Sequence, residues 1–129
     1  MFTLFVIPGD NRLLPDRAIE SFGNLVSRSF ILPHREIPFH KVRTEYFGFL
    51  YADEYIETRL RCSLVSYFRN PIWTALTLAK MVVVKGEMKF YQSPRIFKRG
   101  VILKEDLTPK ENCWHIRVID GFIRENARV

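Results

Sequence analysis

Residues 2–8, FTLFVIP, carry Thr3 as their single polar interruption, and no other stretch restricts the fold as strongly. A β-branched and aromatic run of this length, closed by a turn, suits a strand buried on both faces of a parallel sheet. Gly9, Asp10 and Asn11 tolerate tight or left-handed backbone, so the strand is expected to end there. From Asp16 onward, Ala18, Ile19, Phe22, Leu25 and Val26 recur at helical spacing, which predicts a helix from Asp16 to Arg28 with Asp16 near its positive end. Parallel strands need such a crossover, so the opening reads as β-turn-α.

The two prolines of FILPHREIPF (Phe30 to Phe39) point to an extended excursion, with a short strand expected at Arg35 to Ile37. Tyr46 to Leu50 is a second compact, aromatic strand candidate that stops at Ala52, Asp53 and Glu54. Acidic residues at a strand's carboxyl end sit where open α/β sheets place their ligands. Ile56, Leu60, Leu64, Val65 and Phe68 keep helical spacing as far as Asn70 and Pro71, predicting a helix from Ile56 to Arg69. Beyond it the pattern favours strands at residues 72–78, 81–84, 88–91, 95–98, 101–103 and 114–119, a β-rich C-terminal half. No repeat or linker divides the chain, so residues 1–129 are read as a single α/β domain.

With 47% hydrophobic and 26% charged residues, the 129-residue chain has the composition of a globular domain, which excludes a disordered tail or a coiled coil. No window approaches the ~18 uninterrupted apolar residues of a membrane helix, so no transmembrane segment is expected. The N-terminus lacks a basic start and a small-residue cleavage site, and it reads as a strand and not as a signal peptide. Twenty Lys and Arg against 14 Asp and Glu give a net charge of +6, which favours anionic partners. Cys62 and Cys113 have no CxxC spacing or neighbouring His pair, so a zinc site is not expected; reduced thiols in a cytoplasmic protein are.

Two motifs in order go beyond a generic α/β domain. TLFVIPGDNRLLPDRAIESF resembles the opening of family 2 glycosyltransferases, through Val6, Ile7, Pro8, Asn11, Arg12, Leu14, Ala18, Ile19, Glu20 and Ser21. TEYFGFLYADEYI is similar to the strand of that family that carries the DxD metal motif, through Glu45, Tyr46, Phe49, Leu50, Ala52, Asp53 and Glu54. SPRIFKRGV is similar to the family's downstream Arg-x-Phe-x-Arg strand. The resemblance implies a reduced GT-A-like, three-layer fold with a central mixed sheet. It also implies transfer of a sugar from a nucleotide-sugar donor with Mn²⁺ or Mg²⁺.

By that resemblance Asp53 is the metal ligand, with His115 as a further one. Pro8, Asn11 and Arg12 border the nucleoside, and Arg95, Lys98 and Arg99 meet the diphosphate. Glu105 or Asp106 takes the acceptor proton as general base. The acceptor stays open; the basic balance suits an anionic one, such as nucleic acid, a phosphorylated glycan or a lipid-linked phosphate. The sequence also departs from the family pattern. Tyr51 stands where the family has the first acid of DxD, and residues 23–43 are too few for the family's intervening Asp-Asp-Gly strand and helix-strand unit. Two alternatives follow: a non-catalytic GT-A-derived binding protein, or a small basic nucleic-acid-binding protein. A homo-oligomer or partner chain would complete a shortened pocket.

The same residues also have plain structural readings. Asp53 and Glu54 would cap the second helix, and Arg95, Lys98 and Arg99 would form a solvated strand face. Glu105 and Asp106 would be loop surface. His115, beside Trp114 on an apolar strand, would be a histidine packed in the core.

Overall fold

In the computed structural model, residues 2–8, 16–32, 38 and 42–125 are described. The apolar opening forms β1 (Phe2–Ile7), buried along its whole length. α1 (Asp16–Phe22) follows, then one 3-10 turn (Gly23–Leu25) and β2 (Val26–Ile31), which lies parallel to β1. The helix therefore ends six residues before the expected Arg28. Gly23, at φ +55°, takes the left-handed conformation that closes a helix at little cost, and Val26 to Phe30 then suit a strand. Leu25 and Val26 still pack on the same cluster as Ala18 and Phe22, so the apolar spacing identified the buried side while the backbone changed form.

β3 (Tyr46–Tyr51) lies parallel to β1 on the side away from β2. After the turn at Ala52 and Asp53 comes β4 (Glu54–Ile56), then α2 (Thr58–Arg69). α2 starts two residues later than expected and stops at Asn70 as expected. Glu57 occupies its N-cap without capping it through the side chain, so neither Asp53 nor Glu54 is the cap.

In the C-terminal half, segments expected as separate strands merge into a long hairpin of β5 (Ala75–Val84) and β6 (Glu87–Lys98). Pro94 is accommodated inside β6 because it sits opposite Thr77, at the register shift between Leu76 and Thr77. Lys85 and Gly86, at φ +53° and +81°, form the two-residue connection, as a hairpin turn with two positive φ angles requires. The strand expected at 101–103 is reduced to a single bridge between Leu103 and Pro109. β7 (His115–Arg117) is shorter than expected, and β8 (Ile123–Glu125) had no counterpart in the sequence reading. The expected strand at Arg35 to Ile37 lies outside the described residues.

The mixed sheet runs β2-β1-β3-β6-β5-β8-β4, with β7 beside β5. β3 and β4 are joined by only two residues, yet three strands separate them along this path. A link that short spans roughly 10 Å. β6, β5 and β8 must therefore bend round to bring β4 back to the end of β3, and the sheet curls.

Both α-helices cover one face, where Ala18, Phe22, Leu60 and Leu64 join Phe2, Leu4, Tyr46, Leu50 and Trp73. Tyr46 stacks on Phe68 at 5.1 Å and meets the Trp73 ring at a 31° tilt, 4.8 Å away. Each large apolar side chain so buried contributes about 1.5–3 kcal/mol. The opposite face (Phe5, Ile7, Phe47, Phe49, Phe97) is covered by Leu32, Val42, Leu103 and Leu107, and no helical residue joins that cluster among the described residues. The arrangement is mixed α/β with a curled mixed sheet, and its α-helices among the described residues lie on one side.

Candidate functional site

The topology brings the carboxyl ends of β1 and β3 side by side. β1 sends its crossover to β2 on one side and has β3 on the other, so the chain leaves the carboxyl end of β1 with neighbours that diverge. Val6 O accepts from Leu32 N and Ile7 O from Ala52 N, both at 2.9 Å. A crevice outside the carboxyl ends of strands at such a switch point is where open α/β sheets bind ligands. Pro8, exposed, and Asp53, half-buried in the turn after β3, stand at this end of the sheet. Asn11 and Arg12, expected at the same place, lie outside the described residues.

Beside these strand ends is an ion cluster with one member from each of four strands. Glu54 of β4 is fully buried; its carboxylate accepts from both terminal nitrogens of Arg95 of β6 at 2.7 and 3.0 Å, and from the Tyr51 N–H at 2.8 Å. Lys80 of β5 bridges Glu54 at 2.6 Å and Glu125 of β8 at 2.7 Å. Glu54 and Glu125 are direct cross-strand partners, a like-charge pair that would be unfavourable without Lys80 between them. Arg95 donates Nε–H to the Ser93 hydroxyl at 2.9 Å, and its guanidinium lies 5.0 Å from the Phe49 ring and 5.6 Å from the Tyr51 ring.

Burial by itself would raise the Glu54 pKa, but hydrogen bonds and charge from Arg95, with Lys80 and the Tyr51 amide, outweigh it and hold the carboxyl below its usual range. Burial likewise works against the Lys80 ammonium, yet Glu125 and Glu54 hold its pKa above the ordinary lysine value. Arg95 is therefore buried and committed to protein groups, where the sequence suggested either a phosphate contact or a solvated strand face. Ser21, part of the opening motif, ties α1 to β4 by accepting the Ile56 N–H at 3.1 Å.

The remaining expected site residues lie elsewhere. Lys98 is paired with Tyr46 at the amino end of β3, and the Arg99 N–H reaches Glu45 O at 2.8 Å. β3 has six residues rising about 3.3 Å each, so this end is roughly 16 Å from Asp53. His115 pairs with Ala75 at the same amino pole. It is exposed, as Trp114 is, because alternation along β7 turns Ile116 inward onto the core and leaves His115 outside. The expectation of a packed histidine thus fails. Glu105 and Asp106 form the exposed tip of an excursion that leaves the amino pole after Arg99, with the Lys110 N–H closing it onto Ile102 O at 2.8 Å. The Thr108 hydroxyl and amide hold Asp106 below the usual carboxylate range, which makes it a weaker base at neutral pH.

Asp53 and His115 are thus held at opposite poles, and no three His, Cys, Asp or Glu among the described residues are grouped to hold a metal ion. At the carboxyl end of β3 both Glu54 oxygens are taken by protein groups, and Asp53 lies half-buried in the adjoining turn. Magnesium sites of one or two carboxylates completed by substrate phosphates are common, and Asp53 would supply one such carboxylate. Lys80 and Glu125 had escaped notice in the sequence; the signal was a lone lysine inside the apolar strand TLAKMVVV, since buried lysines are almost always paired. No helix among the described residues is long and apolar enough to cross a membrane. No family model, curated protein or solved structure matches the chain.

Proposed function

We propose that the chain binds a nucleotide-sugar, or a related nucleoside diphosphate, in the crevice at the carboxyl ends of β1 and β3, as a reduced GT-A-like domain. The observation that carries this reading is the switch point itself, with Asp53 at the end of β3 and the Ala52 N–H bonded to Ile7 O. A divalent ion, Mn²⁺ or Mg²⁺, would be held by Asp53 and the diphosphate oxygens and would stabilise leaving-group charge. Pro8 would border the nucleoside, and glycosyl transfer to an anionic acceptor is the activity to which the reading extends.

A second reading, binding without transfer, is favoured by the state of the acids. Glu54 is sealed in its ion cluster and Asp106 is held by Thr108. Calorimetry and thermal shift with UDP, GDP and UDP-glucose, with and without Mn²⁺ or Mg²⁺, test the shared claim. Metal-dependent stabilisation by mass action is expected, at least tenfold weaker in Asp53→Asn at unchanged Tm. No binding to folded protein at millimolar ligand, or equal binding by Asp53→Asn, would remove the site. Sugar transfer by a binding-competent chain would then decide between the two readings.

A further inference from the structure

We propose that the amino pole carries a second, separate binding site, for a small organic phosphate with an apolar body. Two cavities, of about 380 and 290 Å³, lie on either side of the strap formed by residues 99–102. Ligand pockets usually fall at roughly 300–1,000 Å³, so the pair suits a small molecule. The larger is lined by Lys98, Arg99 and Lys110, and the smaller by Arg43 and Arg99 over Val42 and Phe47. Among the described residues, Glu111 is the one acid lining either cavity. None of the four cations is ion-paired among the described residues.

The main chain carrying these cations is fixed. Lys98 is held in the β3–β6 ladder, Arg99 by its N–H on Glu45 O, and Lys110 by its N–H on Ile102 O. One Arg99 N–H is donated to Arg43 O at 3.2 Å, and guanidinium has five donors in a fork that matches phosphate. Four like charges around a concave surface repel one another until an anion enters, and they focus positive potential there. Val42 and Phe47 are buried and Val101 half-buried, so the smaller cavity has an apolar floor. The phosphate accordingly sits at Arg99, Lys98 and Lys110, and the apolar body enters under Arg43. The sheet separates this place from Asp53, so it does not depend on the crevice reading.

The test is calorimetric titration of the full chain in metal-free buffer with phenyl phosphate and, separately, with inorganic phosphate. Saturable binding of phenyl phosphate, tighter than that of inorganic phosphate and weakening with salt, is expected. The double variant Arg99→Gln/Lys110→Gln should lose at least tenfold in affinity, and Asp53→Asn should bind as the wild type does. Should the double variant melt lower, Lys110→Gln alone serves for the comparison, with a severalfold loss expected. The proposal is overturned by absence of saturable binding at millimolar phenyl phosphate, by wild-type affinity in the cation variants, by affinity no better than that of inorganic phosphate, or by loss in Asp53→Asn.

Discussion

Glu54 shows what a single residue contributes here. It has exchanged water for Arg95, Lys80 and the Tyr51 amide, and no buried side-chain polar atom among the described residues lacks a partner. Removing its charge strands the buried Arg95 guanidinium and leaves Lys80 with Glu125 alone, a change that typically costs about 3–5 kcal/mol. Glu54→Gln should therefore lower unfolding free energy by that order in urea denaturation; a loss under ~1 kcal/mol would mean that Arg95 and Lys80 find other partners. The pH dependence follows from the same contacts. Glu54 has a folded pKa below its unfolded value of roughly 4.3, so its contribution is complete above that value and is lost as pH falls through the folded pKa. Lys80 has a folded pKa above its unfolded value of roughly 10.4, so its contribution is complete below that value and is lost as pH rises through the folded pKa. Stability measured against pH should show a plateau between about pH 5 and 10, and Glu54→Gln should flatten the acid limb.

At the scale of elements, local chemistry was legible where one force decided the outcome. The almost wholly apolar run of β1, the aromatic β3 and the Asn70–Pro71 stop of α2 each follow from burial or backbone constraint alone. The reading failed where helix and strand bury the same side chains: Leu25 and Val26 have helical spacing from Ala18 and Phe22, yet Gly23 breaks the helix and the residues reach the core from a 3-10 turn and a strand. The long hairpin was also read as fragments, because Lys80 and Pro94 look like interruptions until their cross-strand partners are known. Its connection is improvable. Lys85 holds φ +53° as the first central residue, a conformation that costs most L-residues about 1–2 kcal/mol and Asn less. Lys85→Asn should raise stability by about 0.5–1 kcal/mol, read as an increase in urea midpoint at constant m-value; an unchanged midpoint would mean that the arm frays before the domain unfolds.

For the whole molecule, the decisive feature is the curl, which no local pattern carries. The two-residue step from β3 to β4, with β6, β5 and β8 between them in the sheet, brings four charged residues from four strands into one buried cluster. Glu54 and Arg95 stood out in the sequence as acid and phosphate contact because their chemistry was visible and their 41-residue separation was not. The same topology divides the expected site, leaving Asp53 and Pro8 at one pole and Arg99 and His115 at the other. Amide chemical-shift mapping by ¹⁵N NMR, with UDP-glucose and Mg²⁺ added to the full chain, tests the placement of the ligand most directly. Saturable shifts at Tyr51, Ala52 and Asp53 that disappear when Mg²⁺ is withheld are expected. Shifts confined to Arg99, Gly100 and Val101, or none in a folded protein at millimolar ligand, would show that the carboxyl ends of β1 and β3 are not where this chain binds nucleotide-sugars.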